Sequence, residues 1–178
     1  KADAVCLAVP AHQAAKILGP TLPELSAELL AIPHKSTATA NFIYEQKDIP
    51  HRLNGFGFVV PPSENCSILA CTFSSVKFAG RAPKGKIVLR AFLGGALQPE
   101  IVKLSDKQME WAIREDLRVL LGIQAAPSRV SIRRYFNAMP LYMVGHLNRV
   151  ARIEKLIKKT KGLALAGNAY HGIGVPDC

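Results

Sequence analysis

The feature of the sequence that most constrains its fold is a series of four β-type segments within about sixty residues. These segments, rich in aliphatic, aromatic and β-branched side chains, are residues 35–45, 55–60, 67–74 and Lys86–Gly94. The separators at 61–65 and 80–85 contain the proline, glycine, serine and asparagine that favour turns. Strands so closely spaced along the chain predict an antiparallel or mixed sheet at the centre of the fold.

Helical patterns flank this strand-rich region. A helix is predicted over residues 105–122, because Ser105 can cap it, Gln108 can return the capping hydrogen bond and Gly122 can end it. Its buried stripe would consist of Met109, Ala112, Ile113, Leu117 and Leu120. Three further helices are predicted at Ala11–Leu18, 22–32 and 145–161. The last of these would bury Leu147, Val150, Ile153, Leu156 and Ile157.

Three more strands complete the expected order. Residues 4–9 form a short apolar run that predicts a strand buried on both faces. Residues 129–135 and 162–167 are also predicted as strands. The sequence is therefore assigned to the α/β class, with a mixed, largely antiparallel sheet and flanking helices.

Composition excludes several classes of protein. Hydrophobic residues make up 49% of the chain and charged residues 20%, so a buried core is expected and disorder is excluded. No apolar run approaches the length of about 20 residues that spans a bilayer. A secretory signal is not expected, and Lys1 in place of methionine suggests a processed product or an excised fragment. The four cysteines lack paired C-x-x-C spacing, which favours reduced thiols and no metal site.

The charge is strongly basic, with 23 Lys and Arg against 13 Asp and Glu, a net charge of +10. Nine of the cations lie between Arg129 and Lys161, where Glu154 is the single acid. Such a region attracts anions such as RNA, lipid headgroups or a small polycarboxylate. The alternative is a solvated helix end, where cations suit the negative end of the helix dipole.

The C-terminal segment combines a short apolar strand with a glycine-rich turn. Gly167, Gly172 and Gly174 would let the backbone approach a ligand closely, and Pro176 is well placed near a helix start. Amides at such a helix start would point at a phosphate or carbonyl oxygen. As an isolated pattern this turn is only weak support for ligand binding, because glycine turns after strands are common.

Four segments, taken together and in order, are far more specific. They are Gly55-Phe56-Gly57-Phe58-Val59-Val60-Pro61; residues 71–75, followed by Arg81-Ala82-Pro83 and Phe92-Leu93-Gly94-Gly95; residues 138–142, followed by Gly145-His146-Leu147; and residues 167–178. This ordered set resembles the C-terminal portion of the protoporphyrinogen oxidase and coproporphyrinogen III oxidase family of flavoenzymes. The similarity covers essentially the whole chain.

The resemblance implies the substrate-binding domain of an FAD-linked oxidase, bracketed by strips of its FAD-binding domain. Residues 1–20 and 151–178 would belong to the FAD-binding domain, and residues 21–150 would bind the porphyrinogen. The family's G-x-G-x-x-G fingerprint does not occur in these 178 residues. We therefore expect the isolated chain to fold but to be catalytically inactive, while the full-length enzyme uses FAD and dioxygen to oxidise protoporphyrinogen IX or coproporphyrinogen III in haem biosynthesis.

The resemblance also implies site residues. Phe92 matches an aromatic residue that contacts a pyrrole ring, and Val59 and Thr72 match aliphatic residues that clamp another ring; Thr72 is a more polar departure. The flavin would be contacted by Asn168, Ile173, Gly174, Val175 and Tyr135, the last in place of a tryptophan of many relatives. An alternative places Phe92 and Val59 in the ordinary core of a half-buried strand. His146 and His171 are expected to be structural, and no catalytic residue is assigned.

Two other functions stay open at this point: another flavin amine-oxidase-like enzyme, such as a desaturase or amine oxidase, and a basic nucleic-acid-binding module. The Arg-Ala-Pro and Phe-x-Gly-Gly stretches favour the porphyrinogen oxidases. The stretch between Arg129 and Lys161 offers few aromatic residues for RNA, so no nucleic-acid partner is expected. We expect a cytoplasmic protein, with peripheral membrane association and a homodimer kept as options.

Overall fold

A computed structural model describes residues 2–178. The chain divides into two compact units. Unit 1 contains the residues up to Lys35 together with Asn137–Cys178, and unit 2 contains Ser36–Phe136. The elements, in chain order, are β1 Val5–Leu7, α1 Ala11–Leu18, α2 Pro23–Leu30, β2 His34–Glu45, β3 Gly57–Val59, β4 Ala70–Phe73, α3 Ser74–Lys77, β5 Lys86–Gly94, α4 Asp106–Leu121, β6 Arg129–Pro140, α5 His146–Lys158 and β7 Leu163–Leu165.

Unit 2 is built on a five-stranded sheet of order β3-β4-β5-β2-β6. The pairings of β3 with β4, β4 with β5 and β5 with β2 are antiparallel. The β2–β5 ladder runs from the pair Thr37–Gly94 to the pair Glu45–Lys86. The predicted central sheet is confirmed, and β5 has the predicted bounds.

One face of this sheet holds the core of unit 2. Along β5, Ile87, Leu89, Ala91 and Leu93 are buried, and their β2 partners Tyr44, Phe42, Ala40 and Ala38 are buried with them. The same core contains the buried α4 residues Met109, Ile113, Leu117 and Leu121. Because side chains alternate across a strand, the remaining positions of these strands lie on the opposite face.

The helix α4 is fixed at both ends as predicted. The Ser105 side chain accepts a hydrogen bond from the backbone N–H of Gln108, and the Gln108 side chain accepts one from the backbone N–H of Ser105. Gly122 ends the helix in the left-handed conformation, with φ of 70°. A capping box and a C-terminal glycine thus set the bounds of the helix that holds the core in place.

Unit 1 combines a small parallel sheet with three helices. β1 and β7 pair in register from Val5–Leu163 to Leu7–Leu165. The core is formed by residues of α1, α2, α5 and the C-terminal segment, namely Ala11, Ala14, Ala15, Leu18, Leu25, Leu29, Ile32, Val150, Ile153, Ala169 and Tyr170. Glu28 of α2 accepts hydrogen bonds from Arg149 and Arg152 of α5, which adds polar contacts between these helices.

Several expectations differ from the structure. β1 is not buried on both faces, since Val5 is half exposed. Leu147 is exposed instead of lying in the buried stripe of α5. Ser74, the predicted last residue of the strand 67–74, begins the short helix α3 instead. β6 continues to Pro140, five residues past its predicted end.

The unit boundaries also differ from the expected domain boundaries. We expected divisions at 20/21 and 150/151, whereas the compact units divide at 35/36 and 136/137. The reason is packing, because Leu25 and Leu29 of α2 and Val150 of α5 share the core of unit 1. Which unit binds flavin and which binds substrate stays a prediction.

Candidate active site

The three residues expected to contact the substrate lie on the same open face of the unit 2 sheet. Phe92 pairs with Thr39 on one side and with Ala70 on the other, and Ala70 in turn pairs with Val59. The row across the sheet is therefore Val59, Ala70, Phe92 and Thr39. Thr72 of β4 is two residues from Ala70 and points to the same face.

We call the apolar row from Val59 to Phe92 on the open face the apolar slot. Two larger side chains stand on either side of the small Ala70, about two strand spacings or 9–10 Å apart. Val59 is 79% exposed and Phe92 is 36% exposed. The alternative that assigned these two side chains to the core is therefore wrong, because the core occupies the opposite face.

A second row lies beside the slot and is more polar. Thr72 pairs with Gly57 and with Arg90, and Arg90 pairs with Asn41. The Arg90 Nε–H donates a hydrogen bond to Asn41 Oδ1 at 2.8 Å. Gly57 is required here, because a Cβ at this position would lie 2.2 Å from the carbonyl oxygen of Cys71. This glycine lets β3 pair closely with β4 and carry Val59 into the first row.

Tyr135 lies on β6 and is 47% exposed. Its neighbour Arg134 points toward the core side of the sheet, where it donates hydrogen bonds to the carbonyl oxygens of Val102 and Leu104. By alternation Tyr135 faces the open side. Tyr135 therefore shares a sheet face with the slot residues of unit 2, while the other residues expected to contact the flavin belong to unit 1.

The glycine-rich turn of unit 1 exposes two apolar side chains. Ile173 is 72% exposed, Val175 is 90% exposed and Asn168 is partly buried. A Cβ on Gly174 would lie 2.6 Å from the Asp177 carboxylate, so this glycine accommodates a side chain of the turn itself. Gly167, with φ of 136°, has no atom within 4 Å of its Cβ position and stays open to a ligand.

Three side-chain hydrogen bonds hold this turn against residues 138–146. The Tyr142 hydroxyl donates to the Asn168 carbonyl oxygen at 2.7 Å, and Asn168 Nδ2 donates to the Ala138 carbonyl oxygen at 3.4 Å. His146 Nε2 lies 3.1 Å from the Tyr170 carbonyl oxygen. A carbonyl oxygen only accepts, so the proton is assigned to Nε2. The rings of Tyr142 and His146 stack at 4.2 Å. These contacts thus join residues 138–146 to the C-terminal turn, two segments on which the family resemblance was based.

The surroundings of Tyr142 favour the neutral, donating form of its hydroxyl. Burial raises the pKa of Tyr142, and the nearby Cys178 and Asp177 contribute in the same direction. A higher pKa means that the neutral hydroxyl persists through the neutral range. His171 contacts Glu154, with Nε2 and Oε1 at 2.7 Å, which agrees with a structural role for His171.

The sequence alone did not identify Arg90 as part of the face, nor the contacts that Tyr142 and His146 make. Strand alternation could have placed Arg90 on the face of Phe92, because Val88, Arg90 and Phe92 alternate with Ile87, Leu89 and Ala91. The contacts of Tyr142 and His146 join residues 24 to 26 apart, and no local pattern reveals them.

The described residues offer no metal centre. Residues 2–178 contain no group of three or more His, Cys, Asp or Glu side chains placed to hold a metal ion. In the same range no helix has both the length and the apolar character needed to cross a membrane. The four cysteines are free thiols, and burial raises the pKa of Cys71 to about 12.

Comparison with solved structures identifies the fold. Cyclohexylamine oxidase from Brevibacterium oxydans IH-35A matches 93% of this chain over 37% of its own, with a TM-score of 0.66. At 18% identity this likeness shows the fold alone. A crystal structure from Exiguobacterium sp. 255-15, whose protein carries the provisional name protoporphyrinogen oxidase, is 36% identical with a TM-score of 0.79. It covers 99% of this chain and 38% of that one.

The sequence comparisons agree with this fold. Residues 1–178 match the family described as flavin containing amine oxidoreductase, and the chain belongs to that family. Coproporphyrinogen III oxidase of Bacillus subtilis (strain 168) is 33% identical over 99% of this chain and 37% of its own length. Chloroplastic protoporphyrinogen oxidase of Nicotiana tabacum is 30% identical over 98% of this chain and 34% of its own. The chain thus spans about a third of the length of these relatives.

Proposed function

We propose that this chain is part of an FAD-dependent oxidase that converts protoporphyrinogen IX or coproporphyrinogen III to the corresponding porphyrin, with dioxygen as the final electron acceptor. The observation that carries the proposal is the apolar slot of unit 2, where Val59 and Phe92 stand on either side of Ala70. A porphyrinogen is a large, mainly apolar macrocycle, and ligands of this kind bind to apolar surfaces with few polar groups. The names of the relatives support this substrate class.

The turn of unit 1 fits the ring end of a flavin. Ile173 and Val175 expose apolar surface, and at Gly167 of the same segment the backbone has no side chain to keep a planar ring away. Bound FAD would supply the oxidising chemistry by accepting electrons from the substrate and passing them to dioxygen. The chain's own contribution is placement, since Tyr142 and His146 hold the carbonyl groups of the turn.

The small sheet of unit 1 supports the proposal that this chain is part of a longer enzyme. Parallel sheets are normally covered on both faces, yet the two-stranded β1–β7 sheet leaves Val5 half exposed. No G-x-G-x-x-G fingerprint occurs in the 178 residues, so the FAD phosphates would be held by parts of the enzyme outside this sequence.

The test uses the full-length protein that carries this chain. We expect a yellow protein with the visible spectrum of bound flavin, and aerobic turnover of at least one of the two porphyrinogens, followed by porphyrin fluorescence. Phe92→Ala should lower kcat/KM about tenfold or more without changing the flavin content. Leu97→Ala removes a more exposed apolar side chain from the loop after β5, and it should leave kcat/KM unchanged.

Two results would contradict the proposal. A purified protein without flavin, or one that turns over neither porphyrinogen, would refute the assignment. Loss of flavin or gross unfolding in Phe92→Ala would mean that Phe92 is a structural residue and not part of the substrate slot.

We further propose a cytoplasmic enzyme that associates peripherally with membranes. Support comes from Lys155 of α5 and the adjoining Lys159, which line a groove of about 650 Å³. Glu24 lines the same groove, as do Arg149 and Arg152, which are paired with Glu28. Sedimentation with vesicles of anionic or neutral lipid would test this, and binding to neither would contradict it. Whether the enzyme is a homodimer is to be measured by analytical ultracentrifugation.

A further inference from the structure

A cationic side chain stands on the open face next to the proposed substrate slot. Arg90 precedes Phe92 by two residues on β5, so the two side chains point to the same face with about 6.6 Å between their positions along the strand. We infer that Arg90 binds a peripheral carboxylate of the porphyrinogen and thereby fixes the orientation of the macrocycle on the sheet. This inference rests on the function proposed above.

The neighbours of Arg90 orient its guanidinium group. Nε–H donates to Asn41 Oδ1 at 2.8 Å, which leaves both terminal Nη groups for another partner. On the other side Arg90 pairs with Thr72, whose side chain is short enough to leave the guanidinium accessible. Arg90 is exposed. A guanidinium held by one bond presents the planar pair of donors that a carboxylate accepts.

The charge of Arg90 is not balanced within the described chain. Among residues 2–178, no carboxylate forms an ion pair with Arg90, whereas Lys86 on the same strand contacts Glu45. The cross-strand neighbours of Phe92 and Arg90 on the open face are Thr39, Asn41, Ala70 and Thr72, which are all uncharged. An unpaired cation beside an apolar slot therefore matches an apolar ligand with a carboxylate at its edge.

The chemistry of the ligand completes the match. Each propionate of a porphyrinogen is joined to its pyrrole ring through two methylene carbons. A ring seated against Phe92 would thus extend its carboxylate toward the neighbouring row that holds Arg90. The apolar slot alone would accept the macrocycle in several rotations, and a cation at one end favours those that place a propionate beside it.

The experiment compares a free acid with its ester in the full-length flavoenzyme. Coproporphyrin III and its tetramethyl ester, both in detergent, are titrated against wild type and variants by fluorescence quenching. Arg90→Gln should weaken binding of the free acid about tenfold, or about 1.4 kcal/mol, while binding of the ester is unchanged. Arg90→Lys should recover part of the loss, because it keeps the charge but not the planar fork.

Lys107→Gln is the matched control. It makes the same change of charge at an exposed position of α4, the helix that packs on the opposite face of the sheet. We expect its affinity for both ligands to equal that of wild type. In turnover, Arg90→Gln should raise KM for the porphyrinogen more than it lowers kcat, because the interaction belongs to binding.

Each other outcome overturns the inference. Equal weakening of acid and ester in Arg90→Gln would indicate a structural role, and no change with either would show that the carboxylates bind elsewhere. If Arg90→Gln and Lys107→Gln weaken the acid alike, general surface charge is responsible. A wild-type protein that turns over no porphyrinogen would refute the proposed function, and this inference would fail with it.

Discussion

The hydrogen bond from His146 to the Tyr170 carbonyl oxygen makes a quantitative prediction about the turn. We consider His146→Phe, which removes the donor and keeps an aromatic ring to stack on Tyr142. The contact lies in the interior, since His146 is 8% exposed and Tyr170 is 7% exposed. A buried carbonyl left without a donor costs about 1–3 kcal/mol. We therefore expect the free energy of unfolding to fall by about that amount.

Tyr142→Phe provides the internal comparison. It removes the hydroxyl that donates to the Asn168 carbonyl oxygen at 2.7 Å. Tyr142 is 44% exposed, so water can replace the lost donor and the cost should be about 0.5 kcal/mol. Leu147→Ala changes the next residue of α5, which is 71% exposed, and serves as a control with little effect.

The measurement is urea unfolding of the 178-residue chain, followed by far-UV circular dichroism. The single tryptophan, Trp111, lies on α4 and gives a second signal from unit 2. His146→Gln should recover part of the loss, because its amide can donate to the same carbonyl. In the full-length flavoenzyme, His146→Phe would destabilise the position of the turn that binds FAD. If that position becomes less favourable by about 1.4 kcal/mol, FAD affinity falls about tenfold.

Two results would contradict this prediction. If His146→Phe unfolds within about 0.5 kcal/mol of wild type, the Tyr170 carbonyl does not depend on this donor. If Tyr142→Phe lowers the free energy of unfolding as much as His146→Phe does, burial of the contact does not decide how large the loss is.

Three other predictions concern pH and cofactor binding. The hydrogen bond from Arg152 holds the pKa of Glu28 below its usual 4.5. Above pH 4.5, Glu28→Gln should therefore lower the free energy of unfolding by less than about 1 kcal/mol. This difference from wild type should vanish as the pH falls through the pKa of Glu28 in the folded state. Burial lowers the pKa of His34 below its usual 6.5, so the unfolded state binds protons more readily. Stability should then fall as the pH decreases below about 6.5, and His34→Gln should flatten this part of a pH series of urea titrations. The 178-residue chain, which lacks the phosphate-binding fingerprint, should not bind FAD at micromolar concentration; a stoichiometric change in flavin fluorescence would contradict this.

The fold was predictable where local signals act alone. The helix α4 carries its own cap and its own terminating glycine, and both lie where the sequence placed them. Of its predicted stripe, Met109, Ile113 and Leu117 are buried, whereas Ala112 and Leu120 are partly buried and Leu121 is buried instead. β5 was predicted with its observed bounds, because alternation and flanking turns coincide there. The exposure of Val5 could not be predicted, since a short apolar run has the same appearance in a covered strand and in an uncovered one.

The candidate site was predictable as residue types but not as geometry. The resemblance selected Phe92, Val59 and Thr72, yet only strand register shows that they share a face with Arg90. Register depends on pairings between segments distant in sequence, and a shift by one residue would turn each side chain to the other face. The contacts of Tyr142 and His146 likewise depend on how α5 packs beside the C-terminal segment.

The two faces of the unit 2 sheet explain why stability and substrate binding should be separable. The core face supplies the burial that folds the unit, with Phe42, Leu89 and Leu93 at 1% exposure or less. The open face is less buried, because Val59 keeps 79% and Phe92 36% of its surface in solvent. Truncating a side chain costs stability mainly through the contacts it had buried. Substitutions on the open face should therefore cost less folding stability than those on the core face while changing ligand binding, and the cost should be smallest at Val59.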